Sequence, residues 1–208
     1  GPWAGSTLSE LIGRFGAELL GKANYARFGQ EFPLLVKFID AREDLSIQVH
    51  PDDELARKRH GKSGKCEMWY VLEAEPGASL LTGFSRPIAP AEYERRVADN
   101  TLTDVLNRQA IASGDVFYLP AGRVHSIGKG SFIVEIQQSS DITYRIYDFD
   151  RRDAAGNSRE LHTELAREAI DFESSENSRI TYAPENNQEV RLVTTPYFTT
   201  SLYTLTAR

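Results

Sequence analysis

Residues Leu45–His50, LSIQVH, limit more than any other stretch what this chain can fold into. Read with period two, Ser46, Gln48 and His50 share one face of a strand, and Leu45, Ile47 and Val49 share the other. A hydroxyl, a carboxamide and an imidazole on one face are costly against a dry core. The pattern makes sense where that face lines a polar cavity, most simply one holding a metal ion.

Composition narrows the classes. The chain has 208 residues, 40% of them apolar, enough for one large domain or one domain with an appendage. A formal net charge of -6 argues against binding a phosphate backbone, so no nucleic-acid partner is expected. A small anionic substrate needs only a few local cations. The single cysteine, Cys66, excludes an intramolecular disulfide and points to a reducing, cytoplasmic compartment. No apolar run approaches the roughly 20 residues that span a bilayer, so no membrane partner is expected.

Thr7-Leu8-Ser9-Glu10 reads as a capping box, and Leu8, Leu11, Ile12, Phe15 and Leu19 follow at helical spacing, so one helix is predicted over Leu8–Leu20. Phe32–Asp40 reads as a strand buried on most of both faces, with Lys37 snorkelling or meeting an acid or phosphate. A short helix is predicted from Pro51 to Gly61. In the strand Lys65–Ala74, Lys65, Glu67, Trp69 and Val71 share a face, so Lys65 and Glu67 look into one space. Gly83–Gln109 breaks the β rhythm with two short helices, either a lid or a surface decoration. Strands resume over Gly114–Pro120, Ser131–Gln138 and Asp141–Asp150. A helix over Glu160–Ile170, a polar stretch over Phe172–Gln188 and two final strands follow. His60 and His162 read as structural.

Many short strands separated by turns argue a mostly β fold, a β-sandwich or barrel with helical insertions. The expected organisation is an N-terminal helical segment over 1–30 and a β-domain over 31–152 with an insertion near 84–107. A helix and linker fill 153–188, and 189–208 opens a second β-domain.

Glu67 and His125 complete a candidate site with Gln48 and His50. Two imidazoles, a carboxylate and a carboxamide oxygen make a mixed N/O set that zinc accepts, and iron, manganese or nickel also fit. Gly114-x5-Pro120-x-Gly122-x2-His125 is a restrictive corner that aims His125.

The Gly114–His125 stretch resembles the second cupin motif, and Gln48-x-His50 with Glu67 resembles the first, with Gln48 in place of its first histidine. That substitution, together with FPLLVKFIDA, LSIQVHPDDE, EMWYVL, PAGRVHSIG and ITYRIYDFDR, resembles the type I phosphomannose (mannose-6-phosphate) isomerases in their shorter bacterial form. The resemblance runs from about the first helix to Arg152. It implies a cupin jelly roll with Gln48, His50, Glu67 and His125 binding one zinc ion per chain. It implies substrate contacts from Ser46, Lys65, Arg145 and, more weakly, Arg151, with Arg145 and Lys65 catalytic. The implied reaction interconverts mannose 6-phosphate and fructose 6-phosphate through an enediolate stabilised at the zinc, with a small phosphorylated sugar as partner. Cys66 stands where many relatives have threonine and is expected to face away from Glu67. Relatives extend beyond both ends of the match, so a longer parent chain is expected. The rival readings are another cupin metalloenzyme, such as an iron dioxygenase, and a non-catalytic sugar-binding cupin. Oligomeric state is not legible in the sequence.

Overall fold

The computed structural model describes residues 1–173 and 177–206. Part of the polar stretch expected over Phe172–Gln188, and the last two residues of the segment expected over 189–208, therefore lie outside the described residues.

The N-terminal segment forms three short helices, α1 (Leu8–Phe15), α2 (Ala17–Leu20) and α3 (Lys22–Phe28). The capping box forms as its sequence predicts: Thr7 Oγ1 accepts from the Glu10 amide, and the Glu10 carboxylate accepts from the Thr7 amide. The single helix predicted to Leu20 breaks at Gly16. That residue sits at φ +49°, a conformation that ends a helical run.

Two five-stranded antiparallel sheets follow. The first runs in the order β1 (Leu34–Ala41), β8 (Ser131–Gln138), β3 (Glu67–Ala74), β6 (Val116–Leu119), β10 (Arg179–Ile180). The second runs β5 (Leu106–Ala110), β4 (Ser79–Phe84), β7 (His125–Ile127), β2 (Ile47–Val49), β9 (Tyr144–Tyr147). Trp69, Val71, Phe117 and Ile133 of the first sheet pack with Leu80 and Ile127 of the second, forming one end of the layer between them. The expected mostly β fold is therefore present as two packed antiparallel sheets.

Each sheet has its own outer cover. Helices α5 (Pro90–Ala98) and α6 (Thr163–Ala169) bring Tyr93 and Ala166 onto Ile47, Val49 and Ile146 of the second sheet. The hairpin β11 (Glu189–Thr194) and β12 (Thr199–Tyr203) brings Leu192, Val193 and Phe198 onto Cys66, Met68 and Val116 of the first. The helical stretch after Gly83 packs Ile88, Tyr93, Leu102 and Val105 into the cluster under the second sheet.

One expectation is corrected. Strand β1 is an edge strand rather than one buried on most of both faces. Leu35, Val36 and Phe38 stand exposed, Phe38 at 70%. The apolar run FPLLVKFID reads as fully buried because periodicity cannot tell whether a second layer covers a strand.

Helix α4 (Asp53–His60) carries the signals its sequence promised. Asp52 caps the Leu55 amide at 2.8 Å, and Gly61 closes the helix in the left-handed conformation.

Candidate metal centre and its cavity

Register builds the site. In the second sheet Gln48 pairs with His125 across β2/β7 and with Arg145 across β2/β9, so the three form a cross-strand row. In the first sheet Glu135 pairs with Lys37 and with Trp69, forming a second row. Between the rows lies a cavity of about 510 Å³ lined by both, together with Ser46, Lys65, Thr143, Arg151 and Arg159.

At its deep end three acceptors converge. His50 Nε2 lies 3.4 Å from Glu67 Oε2, and His125 Nε2 lies 3.2 Å from Glu67 Oε1. The ligand atoms of His50, Glu67 and His125 lie within 4.8 Å of one another, all buried. The tautomers follow from the other ring nitrogens. His50 Nδ1–H donates to the Ile142 carbonyl at 2.9 Å, and His125 Nδ1–H donates to the Arg123 carbonyl at 2.8 Å. A carbonyl only accepts, so both Nε2 atoms present lone pairs toward Glu67. His50 Nε2 and Glu67 Oε1 are buried without a hydrogen-bond partner, and Glu67 Oε2 faces only the Lys65 ammonium at 3.2 Å besides the His50 lone pair. Lone pairs facing lone pairs in a dry place call for a cation, and the nitrogen and oxygen donors suit a divalent metal.

Electrostatics agrees. Burial pushes the His50 imidazole down to about 4, and Lys65 adds to this; burial also lowers His125. Both are therefore neutral at pH 7, the form that ligates. Burial alone would raise Glu67, but the Lys65 ammonium beside it holds the carboxyl well below its usual range.

Local structure aims these groups. Gly122, at φ +86°, turns the chain into His125 and donates its amide to the His50 carbonyl at 2.9 Å. A Cβ there would stand 3.1 Å from the Ala169 carbonyl oxygen. The amide of Lys65 donates to the Pro51 carbonyl at 3.1 Å, fixing the entry to β3.

Gln48 reaches the same cluster, its Nε2 lying 3.3 Å from His125 Nε2, and Ser46 Oγ donates to Gln48 Oε1 at 3.4 Å. Lys65 is buried with Nζ 3.2 Å from Glu67 Oε2, the ion pair that shared facing allowed. Arg145 lines the cavity; Nη1 donates to the Glu160 carbonyl at 2.9 Å, and Nε is buried without a partner. Arg151 lies at the cavity wall, bonded to Asp148 at 2.5 Å. Cys66 faces the outer cluster, away from Glu67, and burial raises its thiol to about 12. His60 bonds the Tyr144 hydroxyl at 2.8 Å, and His162 Nδ1 accepts from the Arg145 amide.

Several cavity residues escape sequence reading. Glu135 is buried, accepting from Trp69 Nε1–H at 3.1 Å and from Lys37 Nζ at 2.8 Å. Lys37 also bonds Gln137 Oε1 at 2.6 Å. A usable signal existed: Lys37 and Glu135 are opposite charges at interior positions of two apolar strands. Asp148 and Arg159, which pair with each other, carried no such signal.

Residues 5–84 match the family model "Phosphomannose isomerase type I, catalytic domain". The chain is 38% identical over 200 residues to the mannose-6-phosphate isomerase of Streptococcus mutans, covering 96% of this chain and 61% of that protein. It is 42% identical over 171 residues to the probable mannose-6-phosphate isomerase GmuF of Bacillus subtilis, covering 82% of this chain and 52% of that protein. The crystal structure of the mannose 6-phosphate isomerase from Bacillus subtilis superimposes with a TM-score of 0.85 at 34% identity, covering 96% of this chain and 62% of that one. The chain thus spans roughly half to three-fifths of the length of the relatives it matches.

Proposed function

We propose that this chain, a relative of the type I phosphomannose isomerases in sequence and fold, carries the metal-holding part of an enzyme that interconverts mannose 6-phosphate and fructose 6-phosphate. The observation behind this reading is the convergence of His50 Nε2, His125 Nε2 and the Glu67 carboxylate, with Gln48 and Arg145 in register beside them. Gln48, His50, Glu67 and His125 would hold one zinc ion. Bound there, zinc would supply positive charge against the negative charge that grows on the sugar's O1 and O2.

The chain's own groups account for the remaining steps. Isomerisation moves a proton from C2 of the open-chain aldose to C1, with an enediolate between. Arg145 turns its uncommitted guanidinium edge toward the same oxygens. Glu135, paired with Lys37, faces the cavity from the opposite sheet and takes the C2 proton and returns it at C1. Lys65 keeps Glu67 charged and is the rival base. As a zinc ligand Gln48 would turn its carboxamide over, presenting Oε1 to the metal and donating Nε2–H to Ser46 Oγ, which now meets Oε1. Arg151 stands among the cations available to the phosphate. A cytoplasmic home fits the lone buried thiol, and no described helix is long and apolar enough to cross a membrane.

The test uses the full-length chain with mannose 6-phosphate. Chelation abolishes isomerisation and zinc restores it; a chelator-insensitive or absent reaction rejects the reading. In the same assay Glu135→Gln lowers kcat by about 10²–10⁴-fold with metal content intact, the range for losing a general base. A Glu135→Gln enzyme that stays active while Lys65→Met does not would transfer the base role to Lys65.

A further inference from the structure

We propose that Arg159 is a substrate-binding residue and that Asp148 is a positioning residue, clamping Arg159 and Arg151 together as a seat for the sugar's phosphate. The proposal rests on the sugar-phosphate reading above and locates the anionic end of the ligand.

Charge balance points there first. Among the charged groups lining the cavity, Lys37 is matched by Glu135, Lys65 by Glu67 and Asp141 by Lys62. The remaining cations are Arg145, Arg151 and Arg159, and the carboxylate buried among them is Asp148, 5% exposed. With Arg145 assigned to the enediolate oxygens, Arg151 and Arg159 against the buried Asp148 carboxylate leave one positive charge for this end of the ligand. Glu43, which approaches Arg151 at 3.6 Å, is largely in solvent and screened. A phosphate monoester carries about -1.5 to -2 at neutral pH, opposite in sign to that surplus.

Geometry points there too. Arg159 Nε donates to Asp148 Oδ2 at 2.7 Å and its Nη2 to Oδ1, a bidentate pair. Arg151 Nη2 donates to the same Oδ1 at 2.5 Å and Nε to the Asp148 carbonyl at 3.3 Å. One carboxylate therefore fixes two guanidinium planes, with the Nη1 edge of Arg159 left for an oxyanion.

The backbone is bent to allow it. Directly after Asp148, Phe149 and Asp150 both sit in the left-handed region, at φ +56° and +53°. Asp150 tolerates that region but Phe149 does not, and consecutive occupancy persists only where the surroundings impose it. The turn folds Arg151 back onto Asp148. A bridge between Arg152 and Ser158 then returns the chain so that Arg159 meets the same carboxylate. Crowding shows in Arg145, whose pKa is lowered by burial first and by the neighbouring Arg159 charge next. An incoming dianion relieves that crowding.

Inorganic phosphate is the probe, used with the zinc-loaded full-length chain as a competitive inhibitor of mannose 6-phosphate turnover and in direct calorimetric titration. Arg159→Gln weakens phosphate binding and raises KM for the sugar phosphate by about 10-fold or more, the scale of one charge-assisted bidentate contact. Arg159→Lys recovers part of the loss, because charge returns without the fork. Asp148→Asn raises KM much more than it lowers kcat. Should Asp148→Asn fail to fold, the Arg159 pair decides. Unchanged phosphate affinity and KM in Arg159→Gln overturn the proposal. An inactive wild-type enzyme would sink the isomerase reading, while the phosphate titration would still judge this one.

Discussion

Asp148 shows how single residues here trade solvation for order. Burial alone would raise its carboxyl pKa, but the hydrogen bonds from Arg159 and Arg151 outweigh burial and hold it below its ordinary value of 3.8. A carboxyl depressed in the folded state contributes stability above its unfolded pKa and loses it as pH falls through the folded value. Wild type is therefore expected to be more stable than Asp148→Asn near pH 6, with the gap closing as pH drops below about 4. Urea unfolding of both proteins from pH 6 to pH 2 measures it; a gap that stays constant across that range contradicts the account. At the metal centre the same reasoning runs through tautomers. Two backbone carbonyls decide which imidazole nitrogens carry lone pairs: Arg123, two residues before His125, and Ile142, far from His50 in the chain.

At the scale of elements, the short loop before β3 sets the site. Gly64 packs so tightly on the start of α4 that a Cβ would lie 2.4 Å from the Asp52 carbonyl carbon and 2.5 Å from the Asp53 nitrogen. Its amide donates to Asp53 Oδ1 at 2.8 Å, and the next residue begins the approach to Glu67. Both close atoms are backbone, so no side chain can yield. Gly64→Ala is expected to cost about 2–4 kcal/mol and to lower zinc occupancy, since relief requires moving either the Asp52 cap or Lys65. A denaturant melt within about 0.5 kcal/mol of wild type, with full metal content, would refute it. Gly16 acts differently: nothing crowds it but the Tyr25 ring, and its positive φ simply divides the helix that the apolar spacing made continuous.

For the whole molecule, two facing sheets decide which apolar residues matter. Phe38 lies on the uncovered side of edge strand β1, whereas Phe117 is fully enclosed between the sheets. Phe38→Ser should change stability by less than about 0.5 kcal/mol, and Phe117→Ala should cost about 3–5 kcal/mol. Thermal or urea unfolding of the two variants checks the ranking, and similar losses would deny the layer arrangement. Sequence by itself determined the local chemistry: the capping box at Thr7, the cap at Asp52, the two-residue alternation of LSIQVH and KCEMWYVLEA, and the glycine corner before His125. These rest on backbone sterics and spacing within a few residues. It also carried enough of a family pattern to bring Gln48, His50, Glu67, His125 and Arg145 into one set. Tertiary structure alone decided that Lys37 meets Glu135, that Arg159 and Arg151 share Asp148, and that one face of β1 stays open. Period-two alternation assigns a residue to a face, but which face is covered, and which distant strand lies opposite, is settled by register and layer packing between segments far apart in the chain.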